Sequence, residues 1–178
     1  MNIEYEVRIL EVNPDEIIKK LESLGATKVG EWHQKRYVYD TNPVNDNAWF
    51  RLRTNGKETT LTYKNVEKNT IDGTHELEIA VSDFDKTNEL LSIMGYIPKG
   101  YQENNRIRYL LNNVEIDIDT WPMIPTYMEI EGRNSEEVEN ILNLLNIQKD
   151  KITALNCQDI YKEIYHIDID KIKKLSFK

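Results

Sequence analysis

The sequence is poor in the residues that mark several familiar classes of protein. Its 178 residues contain a single cysteine, Cys157, which excludes an intrachain disulfide and favours a reducing, cytoplasmic location. The three histidines, His33, His75 and His166, are scattered without the spacing expected of metal ligands. No Gly/Ser-rich linker divides the chain, and we therefore expect residues 1–178 to form a single domain.

Positive charge is also scarce. Lysine and arginine number 23 against 31 aspartate and glutamate residues, which gives a formal net charge of −8. This balance disfavours non-specific binding to nucleic acid and to acidic membrane surfaces. No apolar run approaches the roughly 20 residues of a membrane span, and the N-terminus lacks a signal-peptide pattern. We expect a soluble protein that binds neither nucleic acid nor membrane.

The sequence does contain strands that carry charge on one face only. In NIEYEVRIL, Glu4, Glu6 and Arg8 alternate with apolar residues at period two, as in a β-strand. Six further segments repeat the alternation, and their polar faces carry Arg51 and Arg53, Thr62 and Lys64, Glu76 and Glu78, Arg106 and Arg108, Glu115 with Asp117 and Asp119, and Glu129 and Glu131. At least seven strands therefore place ionisable groups on a common face.

Three of these strands precede predicted helices. Asn13 and Pro14 are typical of the start of a helix, and Gly25 is typical of its end. The second helix is expected to begin at Ser82 or Asp83, and the third at Ser135. Their predicted buried residues are Ile17, Ile18, Leu21 and Leu24 in the first helix, Leu90, Leu91 and Met94 in the second, and Val138, Ile141, Leu142 and Leu145 in the third. The chain thus consists of related strand–helix units.

Two architectures satisfy this pattern. An open antiparallel sheet would turn its charged face to water and its apolar face to the helices. A closed barrel would enclose the charges and pack the helices outside. Carboxylates about 7 Å apart along one strand raise each other's pKa unless a cation neutralises them, and buried arginines need an anion. A polyphosphate chelated to a divalent metal supplies both charges, which favours the barrel.

The order of the motifs resembles the CYTH superfamily, the triphosphate tunnel metalloenzymes, which include class IV adenylyl cyclases, thiamine triphosphatases and inorganic triphosphatases. Glu4-x-Glu6-x-Arg8 is similar to the ExExK signature of that group. The remaining matches follow in order and are Arg51-x-Arg53, Thr62-Tyr63-Lys64, Glu76-x-Glu78, Arg106, Asp119 and Glu129-x-Glu131. The resemblance covers about residues 1–145. It implies an α+β fold, an eight-stranded antiparallel β-barrel or tunnel with a charged interior and helices packed outside.

The resemblance also implies roles for single residues. Metal ligands, direct or through water, would be Glu4, Glu6, Asp119, Glu129 and Glu131, whose hard oxygens suit Mg²⁺ or Mn²⁺. Triphosphate-binding residues would be Arg8, Arg51, Arg53, Lys64, Arg106 and Arg108, of which Lys64 and Arg8 are the predicted catalytic pair. Second-tier candidates are Glu76, Glu78 and Asp117. Each of these side chains could instead belong to a structural ion pair.

The sequence departs from the family pattern at several positions. Arg8 replaces the usual lysine of the first motif, and Asn104 replaces a lysine two residues before Arg106, so that one phosphate contact is expected to be missing. Arg36 and Val38 stand where the family commonly has aspartate and tyrosine. The absence of that tyrosine argues against a thiamine triphosphatase.

The favoured function is metal-dependent hydrolysis of a nucleoside, organic or inorganic triphosphate such as ATP, thiamine triphosphate or tripolyphosphate. One alternative is a class IV adenylyl cyclase, a lyase that converts ATP to cyclic AMP and pyrophosphate. A second alternative is a metal-assisted barrel that binds triphosphate without turnover. A homodimer is compatible with each of them.

The tryptophans and the C-terminal tail are open to two interpretations each. Trp32, Trp49 and Trp121 are expected as apolar anchors, although Trp121 could lie at a tunnel mouth and contact the organic part of a substrate. Residues 150–178 are expected to form a helical cover, with Ile160, Ile164 and Ile167 on one face. The alternatives for this tail are a lid that brings Lys162 to a phosphate, or a dimer contact.

Overall fold

The computed structural model describes residues 1–178. The strands are β1 Asn2–Ile9, β2 Thr27–Asp40, β3 Ala48–Thr54, β4 Thr59–Val66, β5 Thr74–Val81, β6 Gly100–Leu111, β7 Val114–Thr120, β8 Tyr127–Gly132, β9 Ile152–Thr153 and β10 Lys174–Leu175. The α-helices are α1 Pro14–Ser23, α2 Phe84–Ile93, α3 Ser135–Leu145 and α4 Cys157–Asp159. None of the helices combines the length and the apolar character that crossing a membrane requires.

Eight antiparallel strands close into a barrel. Their order is β6-β2-β3-β4-β5-β1-β8-β7, and β7 pairs back to β6, which leaves no free edge among them. The short strands β9 and β10 extend the sheet at β1 and β6. The predicted α+β barrel with helices outside is therefore confirmed, and the open-sheet alternative is excluded by the β6–β7 pairing.

The side chains of β1 alternate between the outer and the inner face of the barrel. Val7 and Ile9 face outward into the main apolar core, where α1 contributes Leu21 and α3 contributes Val138 and Ile141. The intervening acidic and basic residues face the interior. The apolar side chains of the wall are buried beneath α1 and α3. Because successive side chains of a strand point to opposite faces, the charged side chains then face the barrel interior.

The first and third helices begin where their capping residues predict. The Asn13 side chain accepts hydrogen bonds from the backbone N–H groups of Asp15 and Glu16 at 3.1 and 3.3 Å, and Pro14 occupies the first turn. Gly25 follows the end of α1 with a positive φ of 81°. The Asn134 side chain caps α3 through the Glu137 N–H at 2.9 Å.

The second helix is less buried than its sequence predicts. Asp83 is its N-cap, as expected, and accepts from the Lys86 N–H at 2.8 Å. Leu91 is buried, but Leu90 and Met94 are 57% and 63% exposed, so the prediction that they lie in the core is wrong. A ten-residue helix on a convex barrel contacts the wall along one narrow line, which Leu91 occupies.

The outer face of β5 is also exposed. Leu77 and Ile79 are each more than half accessible, and Ile3 on neighbouring β1 is exposed as well. The helices cover the β1, β7 and β8 side of the barrel more completely than they cover this side.

The C-terminal tail packs against one end of the barrel through a second apolar cluster. Ile160 and Tyr161 lie in a short π-helical segment, Ile160–Ile164, and contact Trp121 and Tyr127. The Tyr161 hydroxyl donates to the Pro122 carbonyl at 2.6 Å. The expected continuous apolar face is wrong at one position, because Ile164 is exposed. Tyr161 and the following segment take over that contact.

Candidate active site

The barrel encloses a cavity of about 310 Å³. Its lining includes eight basic side chains, Arg8, Arg36, Arg51, Arg53, Lys64, Lys99, Arg106 and Arg108, and eight acidic ones, Glu4, Glu6, Glu76, Glu78, Glu115, Glu129, Glu131 and Asp170. The charges predicted to share one chamber therefore converge. Asp117 and Asp119 are the two predicted site residues that stand behind the cavity wall and do not line it.

Strand register explains how the two signs of charge meet. Arg8 lies directly opposite Glu129 on β8, and Lys64 lies opposite Glu76 on β5. Arg106 lies opposite Asp119 on β7. Side chains that face each other across neighbouring strands are close enough to interact directly. The ion pairs inside the barrel are thus a consequence of the pairing register.

Three carboxylates form the candidate metal centre. One oxygen from each of Glu6, Glu129 and Glu131 lies within 4.8 Å of the other two. Arg8 contacts Glu6 at 3.0 Å and Glu129 at 2.6 Å, whereas Glu131 has no cation within ion-pair distance. Three hard oxygen donors with incomplete charge compensation fit Mg²⁺ or Mn²⁺.

Two neighbouring carboxylates of this cluster have opposite pKa shifts. Burial, together with the negative charges of Glu129 and Glu6, raises the pKa of Glu131 to about 7. Burial also acts to raise the pKa of Glu129, but the charges of Arg8 and Arg106 outweigh it and hold the pKa below its usual value. The two arginines therefore keep Glu129 ionised. Glu131 has no such partner, so a bound cation would stabilise its charged form the most.

The other two predicted metal ligands are already bound by cations. Both oxygens of Glu4 accept from the Lys64 ammonium, at 2.9 and 2.7 Å. Asp119 is fully buried and accepts from Arg106 Nε at 2.8 Å and from Asn104 Nδ2 at 3.1 Å. Neither joins the carboxylate cluster, and their direct ligation of metal stays a prediction.

The predicted catalytic lysine lies between two carboxylates. In addition to Glu4, the Lys64 ammonium contacts Glu76 at 3.0 Å. Burial and the charge of Arg51 lower the pKa of Lys64, but the nearby glutamates outweigh both and raise it. Lys64 is therefore a buried ammonium at neutral pH, suited to donating hydrogen bonds to phosphate oxygens.

The arginines of β3 have weaker partners. Arg51 contacts Glu78 at 3.5 Å and Glu76 at 3.7 Å, and Arg53 contacts Glu78 at 3.7 Å. Burial and the charge of Arg51 lower the pKa of Arg53. These long contacts leave both guanidinium groups available to an anion in the cavity.

Arg106 and Arg108 form shorter ion pairs than the arginines of β3 do, with aspartates that do not line the cavity. Arg106 contacts Asp117 at 2.5 Å and Asp119 at 2.5 Å, and Arg108 contacts Asp117 at 2.7 Å. Bidentate pairs of this kind fix a guanidinium in one orientation. Asp117, a second-tier candidate, and Asp119 thereby position two arginines that line the cavity.

Arg36 lines the cavity as well, although it was not among the predicted site residues. Its Nη2 donates to the side-chain oxygens of Gln34 at 3.3 Å and Asn104 at 2.5 Å. Its guanidinium carbon lies 4.4 Å from the Trp121 ring centroid. The signal was present, because Gln34, Arg36 and Val38 alternate on β2 as the charged residues do elsewhere. The departure from the family pattern obscured it.

Trp121 lies neither at an open mouth nor in a purely apolar setting. It is 2% exposed, packs against Tyr161 of the tail, and presents one face to Arg36. The prediction that it lies at a tunnel mouth is therefore wrong, whereas its role as an anchor beneath the tail is confirmed. Trp49 lines the cavity as well, because it shares the inner face of β3 with Arg51 and Arg53, and its expected role as an apolar anchor under a helix is wrong.

The tail closes part of the same end of the cavity. Asn156, Cys157 and Gln158 are among the lining residues, and the Leu155 carbonyl accepts from Arg8 Nη1 at 2.9 Å. Lys162 is exposed and absent from the lining, so the alternative in which the tail brings Lys162 to a phosphate is wrong. The tail reaches the cavity through the α4 segment instead.

A closed eight-stranded barrel lined by paired acids and bases defines a charged tunnel protein. The chain belongs to the CYTH domain family, whose model matches residues 2–155. The residues that line the cavity from the tail, Asn156 onward, lie beyond that match.

Solved structures share this architecture. The PH1012 protein from Pyrococcus horikoshii has a TM-score of 0.75 at 25% identity and covers 86% of this chain and 96% of its own. A candidate adenylate cyclase from Vibrio parahaemolyticus has a TM-score of 0.75 at 14% identity, over 93% and 98% of the two chains. A candidate adenylyl cyclase from Hippeastrum, described as having a dominant triphosphatase activity, has a TM-score of 0.60 at 15% identity, over 94% and 97%. No curated protein sequence is significantly similar to this chain.

Proposed function

We propose that the protein is a divalent-metal-dependent hydrolase that binds a triphosphate inside its barrel. The observation that supports this function is the convergence of eight basic and eight acidic side chains in one cavity of about 310 Å³. A triphosphate chelated to a divalent cation carries both signs of charge, and it would satisfy both sets of side chains.

The basic residues would bind and orient the phosphate chain. Arg51 and Arg53 have long ion pairs that phosphate oxygens can replace, and Arg106 is held rigidly by two aspartates. Lys64 and Arg8 would donate to the oxygens of the phosphorus under attack, where charge develops in the transition state. Positioning and charge neutralisation account for most of the catalysis that such a site can provide.

The carboxylate cluster would hold the metal. Glu6, Glu129 and Glu131 supply three oxygens within 4.8 Å of one another, a donor set that fits Mg²⁺ or Mn²⁺. A bound divalent ion would neutralise phosphate charge and polarise the bond that breaks. Glu4 and Asp119 are proposed to support the site through water or through Lys64 and Arg106, which they contact.

An adenylyl cyclase is the second candidate function. The Vibrio and Hippeastrum proteins, which share the fold, are described as adenylyl cyclase candidates. The same cavity would then hold the triphosphate of ATP while the ribose 3′-hydroxyl attacks the α-phosphorus and pyrophosphate leaves. The triphosphatase activity described for the Hippeastrum protein favours hydrolysis between the two.

The test is to incubate the protein with ATP, tripolyphosphate and thiamine triphosphate, each with Mg²⁺ or Mn²⁺. Release of orthophosphate that EDTA abolishes supports the hydrolase. Cyclic AMP with pyrophosphate selects the cyclase. Binding of tripolyphosphate without any product, across neutral and alkaline pH, selects a non-catalytic binding barrel. Glu131→Gln is the control for activity from a contaminating phosphatase, because it removes one carboxylate from the metal cluster and leaves the arginines intact.

A further inference from the structure

Several buried N–H donors in the cavity wall have no acceptor. They are the Nε atoms of Arg8, Arg36 and Arg51 and the Nε1 atom of Trp121. All four residues line the cavity. Because a buried donor without a partner is costly, such a group is expected to be satisfied by something that enters the cavity.

Arg36 is the most unusual of these residues. It is 6% exposed, yet no carboxylate lies within ion-pair distance, and its partners in the protein are the two amide oxygens of Gln34 and Asn104. Burial, with the repulsion of Arg51 and Arg106, lowers the pKa of Arg36 to about 10, and Cys157 and Asp119 offset this lowering only in part. The remaining cavity arginines all contact at least one acid. Arg36 is therefore a buried cation whose counterion the protein does not supply.

The surroundings of Arg36 restrict which group can bind there. The Trp121 ring centroid lies 4.4 Å from the guanidinium carbon, and Cys157 of the tail lines the same cavity. Arginine and tryptophan side chains donate hydrogen bonds and accept none. An acceptor-rich group satisfies these donors, and a negative charge compensates the unpaired guanidinium, which favours a phosphate over a neutral nucleobase edge.

The cavity wall around Arg36 is closed to solvent. Arg36 and Trp121 are 6% and 2% exposed, whereas the accessible lining side chains lie at the rims, with Lys99 at 29% and Asp170 at 41% on the tail side, and Arg108 at 25% and Glu115 at 41% on the other side. A compact phosphate fits the closed wall around Arg36, and a bulky organic group fits the accessible rim at Arg108 and Glu115, away from the tail.

We propose that Arg36 and Trp121, together with Arg8, form a binding subsite for the terminal phosphate of the substrate, so that the phosphate chain points toward the C-terminal tail. This assignment rests on the proposed triphosphate function and adds to it a direction of binding. Arg36 is then a specificity-determining residue that requires a free terminal phosphate, and the organic part of the substrate lies toward Arg108 and Glu115.

The test measures equilibrium binding of tripolyphosphate and of ATP, each with Mg²⁺, by isothermal titration calorimetry. Arg36→Gln is expected to weaken both ligands by about 10- to 100-fold, the usual effect of losing a charge-assisted hydrogen bond. Trp121→Phe keeps the ring and removes the N–H, and is expected to weaken both by about 2- to 10-fold. Arg133→Gln is the matched control, because Arg133 has the same charge outside the cavity and is 75% exposed.

Two results would overturn the subsite. One is tripolyphosphate binding that Arg36→Gln leaves within twofold of the unmodified protein. The other is a loss confined to ATP, which would place the organic part of the substrate at Arg36. Absence of any tripolyphosphate binding by the unmodified protein would reject the subsite as well.

A stability measurement separates ligand binding from a structural role. Because Arg36 is buried without a counterion, Arg36→Gln is expected to keep or raise the melting temperature of the ligand-free protein while it weakens binding. A lower melting temperature together with unchanged affinity per folded molecule would assign Arg36 to the fold alone. If the unmodified protein binds tripolyphosphate through Arg36 but releases no orthophosphate, the subsite stands and the hydrolase proposal fails.

Discussion

The carboxylate cluster of β1 and β8 and the arginine group of β2 and β3 differ in how their charges are compensated. In the first, Arg8 contacts two of the three glutamates and leaves Glu131 without a cation. In the second, Glu78 contacts Arg51 and Arg53 and leaves Arg36 without an anion. The two residues without counterions carry opposite charges and line the same cavity.

Paired and unpaired charges therefore have different roles in the same barrel. The paired residues, such as Glu129 with Arg8, hold the wall together and should be costly to remove. The unpaired residues should be dispensable for folding and needed for the ligand. A buried charge that lacks a partner destabilises the free protein, so its presence indicates a role in binding.

The largest expected effect tests a paired residue. Glu129→Gln should lower the free energy of unfolding by about 3 kcal/mol, because Arg8 and Arg106 lose a buried counterion. For a domain of this size the melting temperature should fall by about 6–12 °C. Thermal unfolding followed by circular dichroism measures it. A fall of less than about 2 °C would show that the remaining acids compensate fully.

An unpaired residue of the same cluster should behave differently. Glu131→Gln should reduce kcat/KM for the proposed triphosphate substrate at least about 100-fold, since the proposed metal site would lose one of its three carboxylate ligands. Tripolyphosphate turnover at saturating and limiting Mg²⁺ measures the loss. Recovery of full activity by added Mg²⁺ would mean that Glu131 contributes affinity alone, and activity independent of Mg²⁺ would contradict the metal assignment.

The same variant should be more stable without metal. The pKa of Glu131 rises from 4.5 to about 7 on folding, so the folded state binds this proton more tightly than the unfolded state does. Stability is therefore lost as the pH rises from about 4.5 through 7, and the loss is complete above 7.

Glu131→Gln removes that loss and should gain about 1–2 kcal/mol at pH 8 in EDTA, or about 2–8 °C in melting temperature. The gain should shrink toward zero near pH 4.5. Melting curves at pH 8 and pH 5 measure the difference, and a variant less stable than the unmodified protein at pH 8 would contradict it.

The smallest expected effect concerns the outside of the barrel. Leu77 is exposed on β5, and Leu77→Thr should change the free energy of unfolding by less than about 0.5 kcal/mol. Size-exclusion chromatography with light scattering, before and after the substitution, tests whether the protein forms a homodimer through this face. A dimer that Leu77→Thr converts to monomer would assign the interface to β5, and a dimer that persists would place it elsewhere.

The side of the barrel wall on which each residue lies could be predicted from the sequence. Alternation in segments such as NIEYEVRIL depends only on the period-two geometry of a strand, which is local. The order of the motifs was enough to indicate the CYTH family and the barrel. The exposure of Leu90 could not be predicted, because helical spacing does not reveal how narrow the contact with a convex wall is.

The sequence by itself determined that acids and bases would share one face of the sheet, because side-chain direction along a strand follows from local backbone geometry. Only the tertiary structure decided which charges neutralise each other. Closure of β6 onto β7 and the strand register bring together groups as distant in sequence as Arg8 and Leu155, and they leave Glu131 and Arg36 without partners. Electrostatic compensation depends on distances in three dimensions, which alternation along one strand does not encode.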